Sequence, residues 1–384
     1  MAGLSTVEYV NGIFENLWEV DESQVGDVYN DLRSAGAIIP SGEGRSKGAL
    51  SIACSEMGKM AHGKVVVDRG DIGFPGRDLA EAAPVLRRRL GPVCLLINSS
   101  SGKSLMPLLD AQRLAFYLSR AKNARDFRID LTTSDPGSPL GKLSSKYGNM
   151  VVLKGGKGPK LPAEPREFRE YGTMEDIFPL SSGLLFHSMA AAMSHEATPD
   201  RVLKLARRLS SEISGVVADM VSSDFFDFVL DSLEQRKSCF FAGLGSSREV
   251  ARMTAVRIGH VKRALGDHIY VSGETETPAP RIGDILIVVS QSGETEIMAG
   301  WCRNFKWMGG LIASVVGKPK STIESLSDIS FVVKSDWKRG SPNSFYIKAA
   351  YALSPLPVYL VERVEDKGFI LPNYIRRWHR TVAA

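Results

Sequence analysis

A short apolar run ending in a glycine turn occurs twice in this chain, and the segments that follow each copy recur in the same order. The first copy reads Ala37-Ile38-Ile39-Pro40-Ser41-Gly42-Glu43-Gly44-Arg45-Ser46, the second Cys239-Phe240-Phe241-Ala242-Gly243-Leu244-Gly245-Ser246-Ser247, with Gly44 and Gly245 standing 201 residues apart. Gly63 and Pro75, which bracket the apolar segment 64–67, recur 203 residues later as Gly266 and Pro278 around 267–271. A third pair of apolar runs, 93–97 and 285–289, ends in Ser99-Ser100-Ser101-Gly102-Lys103-Ser104 and Ser290-Gln291-Ser292-Gly293-Glu294-Thr295, now 191 residues apart. A fourth pair, near 129–133 and 311–316, leads to Ser138-Pro139-Leu140 and Ser321-Thr322-Ile323. Offsets that drift only between segments are what a diverged duplication leaves.

Each copy is preceded by helical patterning. Ser5 and Glu8 form a capping-box pattern ahead of Val7, Val10, Phe14 and Leu17, and Thr198-Pro199 opens a second stretch with Val202, Leu205, Leu209, Ile213 and Val216 on one face. The repeated strands are continuous apolar runs alternating with helices, the pattern of parallel strands covered on both faces. The expected fold is therefore α/β: two doubly wound parallel-sheet sandwiches related by internal duplication, residues 1–195 and 196–384. A length of 384 residues agrees, because a single core rarely grows that far. The Gly-, Pro- and Lys-rich stretch 154–171 has no counterpart of equal length in the second half and reads as a lid or connector.

Composition removes several function classes. The net charge of +5 is spread along the chain with no docking element for nucleic acid. Cys54, Cys94, Cys239 and Cys302 form no CxxC pair, and the six histidines make no HxH or HExxH spacing, so reduced buried thiols and no metal are expected. No uninterrupted apolar run approaches ~20 residues, which speaks against a membrane span and for a cytoplasmic protein. The tail 368–384 carries Phe369, Ile370, Tyr374, Ile375 and Trp378, and is expected to pack on the protein or on a second subunit.

In doubly wound sheets ligands bind beyond the carboxyl ends of the strands, and both serine segments fall there. Ser290, Ser292 and Thr295 offer hydroxyls, Gly293 permits close backbone approach, and the next helix adds amide donors, which together suit a phosphate. Ser99, Ser101 and Ser104 repeat the pattern. The first-strand turns, with Gly44, Arg45 and Ser46 in one half and Gly245, Ser246 and Ser247 in the other, would face the same pockets from the neighbouring strand.

This arrangement resembles the sugar isomerase, or SIS, domain. The second half is similar to the 6-phospho-3-hexuloisomerase branch over roughly 240–333, through Gly243-Leu244-Gly245-Ser246-Ser247, Gly273-Glu274-Thr275-Glu276-Thr277-Pro278, Gly283-Asp284-Ile285-Leu286-Ile287 and the serine loop. The first half matches more loosely, and the tandem arrangement is also similar to phosphoglucose/phosphomannose isomerases. The resemblance implies a phosphorylated hexose or hexulose as ligand, isomerisation through an enediolate, no cofactor, and halves paired as an intrachain pseudo-dimer, with homodimerisation left open. It makes His260 the proton-shuttle candidate. The family's carboxylate base lies in a GTxFE-like segment opening the last helix. There the second half has Gly340-Ser341-Pro342-Asn343-Ser344-Phe345-Tyr346, with Tyr346 in place of the glutamate, while Gly172-Thr173-Met174-Glu175-Asp176 retains acids. Glu175 is thus the candidate base, expected to complete a pocket whose phosphate loop belongs to the other half. The loss of the acid at Tyr346 supports a second expectation, a noncatalytic phosphosugar sensor.

Overall fold

The computed structural model describes residues 6–60, 63–68, 70, 78–153, 168–235, 237–272 and 277–369, with the backbone alone for 6–9 and 168–176. Two five-stranded parallel sheets form its frame. The first holds β1 (Ala37–Gly42), β2 (Val65–Val66), β3 (Val93–Asn98), β4 (Phe127–Thr133) and β5 (Met150–Val152) in the order β2-β1-β3-β4-β5. The second holds β6 (Cys239–Ala242), β7 (Ile269–Val271), β8 (Ile285–Ser290), β9 (Leu311–Val316) and β10 (Ile329–Val332) in the matching order β7-β6-β8-β9-β10. Every strand pair is parallel, and β3 and β8, central in their sheets, are buried along their whole length.

In the first half α1 (Thr6–Trp18) and α2 (Glu22–Ser34) precede β1. Then α3 (Gly44–Lys59), α4 (Leu79–Leu90), α5 (Leu105–Leu118) and α6 (Pro139–Tyr147) join successive strands, and α7 (Phe168–Ser194) follows β5. In the second half α8 (Arg201–Val221) and α9 (Asp224–Glu234) precede β6, α10 (Ser246–Ala264), α11 (Glu296–Trp307) and α12 (Thr322–Leu326) join strands, and α13 (Phe345–Leu353) and α14 (Leu356–Asp366) close it. Among the described residues, the β7–β8 connection has no counterpart of the twelve-residue α4. That missing helix accounts for the fall in repeat offset from 203 to 191 between the second and third strand pairs.

Strand alternation divides the core. Ile38, Cys94 and Leu96 of the first sheet and Phe241, Ile285, Ile287 and Val289 of the second face one continuous interior, shared with α1, α3, α7, α8, α10 and α13. The opposite faces, with Leu95 and Ile97 in one half and Leu286 and Val288 in the other, pack against the outer helices. At the centre α3 crosses α10, where Gly48 is so close to Met253 that an added Cβ would lie 2.6 Å from its Cγ. The segment 177–194 of α7 is long and apolar enough to cross a membrane, yet 83% of it is buried inside the protein. All four cysteines are free and buried as expected, and burial pushes the Cys54 thiol up to about 12. Phe369 packs on the core, whereas the tail 370–384 and the stretch 154–167 lie outside the described residues.

Candidate phosphosugar site

The strand order reverses between β1 and β3, and again between β6 and β8, so each half opens a crevice at its switch point. One wall is the turn after the first strand. Gly44 and Gly245 have φ of +54° and +56°, a conformation that favours glycine, and a Cβ on Gly243 would lie 2.5 Å from the Ser247 carbonyl. These glycines let the chain double back from strand to helix and bring Arg45, Ser46, Ser246 and Ser247 to the crevice edge.

The other wall is the serine loop. In the second half Gly293 N donates to Ser290 Oγ (3.1 Å) and Glu294 N to Ser292 Oγ (3.2 Å). In the first half Lys103 N donates to Ser101 Oγ (3.3 Å), Ser99 Oγ and Ser104 Oγ share a hydrogen bond (2.9 Å), and Gly102 N donates to Ser99 O (3.1 Å). A hydroxyl that accepts an amide proton keeps its own proton to donate, so Ser101, Ser290 and Ser292 keep theirs. The amides of Gly102, Lys103, Gly293 and Glu294 and one proton of the Ser99–Ser104 pair are used within the loops. Gly102 and Gly293 both have positive φ, +61° and +67°. Their Cβ atoms would collide with Ser138 Oγ (1.9 Å) and Ser321 Oγ (2.1 Å), the caps of α6 and α12. The carbonyls of the same glycines accept from Leu140 N (3.2 Å) and Ile323 N (2.9 Å). The close approach expected of Gly293 is therefore made to the next helix cap, and each loop is bolted there in the same way.

Charge separates the two crevices. Glu43 Oε1 accepts from Met106 N (2.8 Å), placing a carboxylate on the first turn of α5, where a phosphate would also be drawn. Leu244 stands in its place in the second half and is exposed. Glu294 faces away from its own loop, accepting from Thr322 N (3.0 Å) and Thr322 Oγ1 (2.6 Å), bonds that lower its pKa. Lys103 pairs with Asp135 at 3.7 Å.

No family model matches the chain. It is 34% identical to a 3-hexulose-6-phosphate isomerase of Mycobacterium gastri over 113 residues, which are 29% of this chain and 54% of that one. It is also 34% identical over 107 residues to an uncharacterised protein of Archaeoglobus fulgidus, 28% of this chain and 56% of that one. The chain thus spans about half the length of these relatives. Along nearly its whole length it superposes on the tagatose-6-phosphate ketose/aldose isomerase of Escherichia coli, with a TM-score of 0.57, 13% identity, and coverage of 95% of this chain and 93% of that one. This is a tandem sugar isomerase fold. The C-terminal domain of glucosamine-fructose-6-phosphate aminotransferase from Francisella tularensis shares it, with a TM-score of 0.54, 13% identity, and coverage of 93% and 96%.

Within the tandem sugar isomerase fold the expected residues fall into two groups. In each half the glycine turn and the serine loop follow neighbouring parallel strands, β1 and β3 or β6 and β8. His260 does not join Ser246, since 14 residues along α10 amount to about 21 Å at 1.5 Å per residue. Glu175 lies within α7, two turns before Ser182 and well past the helix start at Phe168, with its side chain outside those described. Asn98, at the tip of β3, donates to Ser46 O (2.9 Å) and Ser182 Oγ (2.9 Å), so this face of α7 covers the first crevice.

In the second half a Cβ on Gly317 would lie 2.5 Å from Gln291 O and 3.1 Å from Phe345, so Gly317 lies between the serine loop and the start of α13, the helix that carries Tyr346. Burial first, then the Glu56 charge, pushes the Tyr346 phenol up to about 12. Glu56 and Lys59, from α3 of the first half, adjoin Tyr346 and were absent from the sequence reading. The signal was present: they stand 201 residues before Arg257 and His260, the offset of the glycine turns.

Proposed function

We propose that this chain is a sugar-phosphate isomerase of carbohydrate metabolism, cytoplasmic, acting on a phosphorylated hexose or hexulose, with residues 1–195 and 196–384 as its two sugar isomerase domains. The reading rests on one observation above all: serine loops with matching sequence, place and helix-cap contacts stand at both switch points. Such a loop offers serine hydroxyls for a phosphate, beside the amides that open the following helix.

Isomerisation needs a base to take the proton from the carbon next to the carbonyl and return it to the neighbouring carbon. It also needs a group that carries a proton between the two oxygens as the enediolate forms and collapses. Glu175 is proposed as that base in the first crevice. His260 is proposed as the oxygen-side shuttle from the second half, because its counterpart Lys59 crosses to Tyr346 of the opposite half. The phosphate would lie on Ser99, Ser101 and Ser104. Incubation with fructose 6-phosphate or a hexulose 6-phosphate in deuterated water should place deuterium at the carbon beside the carbonyl. Glu175→Gln should lower kcat by about 100-fold or more with little change in binding. Unchanged turnover would remove Glu175 as the base.

Tyr346 favours a second reading, a phosphosugar sensor without turnover. A phenol held protonated to about pH 12 donates hydrogen bonds but takes no proton from carbon at neutral pH. Binding without deuterium exchange would decide for it.

A further inference from the structure

We propose that Lys59, anchored by Glu56, is a ligand-binding cation that the first half contributes to the second crevice, making it a separate site for an anionic sugar. This rests on the reading that the serine loops hold phosphosugars and goes beyond it by assigning the second pocket and its recognition group.

Glu56 is 1% exposed, which for a carboxylate costs several kcal/mol unless donors surround it. Two of its donors come from the opposite half: Asn343 N gives to Oε2 (2.8 Å) and Ser246 Oγ to Oε1 (3.4 Å). The third is Lys59 Nζ, 2.7 Å from Oε1. Lys59 is itself half-exposed, and its Nζ also lies 5.1 Å from the centroid of the Tyr346 ring. A long, flexible ammonium is thus fixed between a buried carboxylate and an aromatic face, at the edge shared by Ser246, Asn343 and Tyr346. An ammonium has three donors, and the bond to Glu56 uses one.

The second crevice then has the serine loop to hold phosphate and Lys59 with the Tyr346 hydroxyl to meet sugar oxygens. The carboxylates described around it are committed elsewhere, Glu56 to its three donors and Glu294 to Thr322. Its makeup is that of a binding site, with charge supplied across the junction of the halves.

The test is calorimetric titration of the full chain with fructose 6-phosphate in a Ser101→Ala background, which leaves the second crevice to report. One sugar per chain should bind. Lys59→Met should weaken its Kd tenfold or more with a melting temperature close to that of the parent, and Lys59→Arg should stay within about threefold. Glu56→Gln should weaken binding several-fold, and its effect should vanish when Lys59 is already Met, because the two act as one unit. A Lys59→Met protein that binds as tightly as its parent would overturn the inference, as would loss of all binding on Ser101→Ala when wild type binds. If wild type itself binds no sugar phosphate, the phosphosugar reading fails and this proposal with it.

Discussion

Asp130 lies in the middle of β4, fully buried, where burial first and the neighbouring Asp31 charge second push its carboxyl up to about 8. Asn149 N donates to one of its oxygens (2.9 Å) and Cys94 Sγ to the other (3.3 Å). In the unfolded chain the same group releases its proton near 3.8. Between those values the folded state holds the extra proton, so stability is complete below about pH 4 and declines as pH rises toward 8. Asp130→Asn keeps the shape and the neutral form. Its melting temperature should match wild type near pH 4 and exceed it by several degrees at pH 9; a difference constant across pH would refute the assignment. The acid was not legible in the sequence, because its partners come from α2, β3 and the loop before β5, and their numbers carry no spacing.

At the scale of elements, the serine loops were legible because each follows a buried strand and recurs in register, but the duty of their glycines was not. Gly293 reads as room for a ligand, while the contacts of Gly102 with Ser138 and of Gly293 with Ser321 depend on the next helix folding back against the loop. Gly293→Ala should therefore destabilise the protein by about 1–3 kcal/mol, through both its φ of +67° and the collision with Ser321, as measured by denaturant unfolding. The α5 terminus makes a different point. Glu43 and a phosphate compete for the same turn of amide donors, so Glu43→Ala should lower KM for a sugar phosphate by about three- to tenfold at low ionic strength. An unchanged or raised KM would mean that the phosphate binds clear of Met106 N.

The duplication was readable from offsets, since insertions and deletions leave their length in the numbering, whereas the two sheet orders and the identity of the lost helix came from the structure. How the two halves meet was not readable either, because α3 buries most of its circumference and its sequence marks no single apolar face. Its neighbours in space, α7 and α10, come from both halves, and the contact that matters is a glycine opposite a methionine. Gly48→Leu should drive a side chain into Met253 and cost about 1–3 kcal/mol in denaturant unfolding. Gly215 on the exposed side of α8 is the opposite case: nothing lies within 4 Å of its would-be Cβ, so Gly215→Ala should stabilise by about 0.5–1 kcal/mol. The pair separates helix propensity from packing between the halves. Because the second crevice takes Glu56 and Lys59 from α3, the α3–α10 crossing also sets its geometry. Gly48→Leu should thus weaken fructose 6-phosphate binding as well as stability, whereas Gly215→Ala should raise stability and leave binding alone. Stability lost in Gly48→Leu with binding intact would show that the crevices keep their shape independently of how α3 and α10 pack.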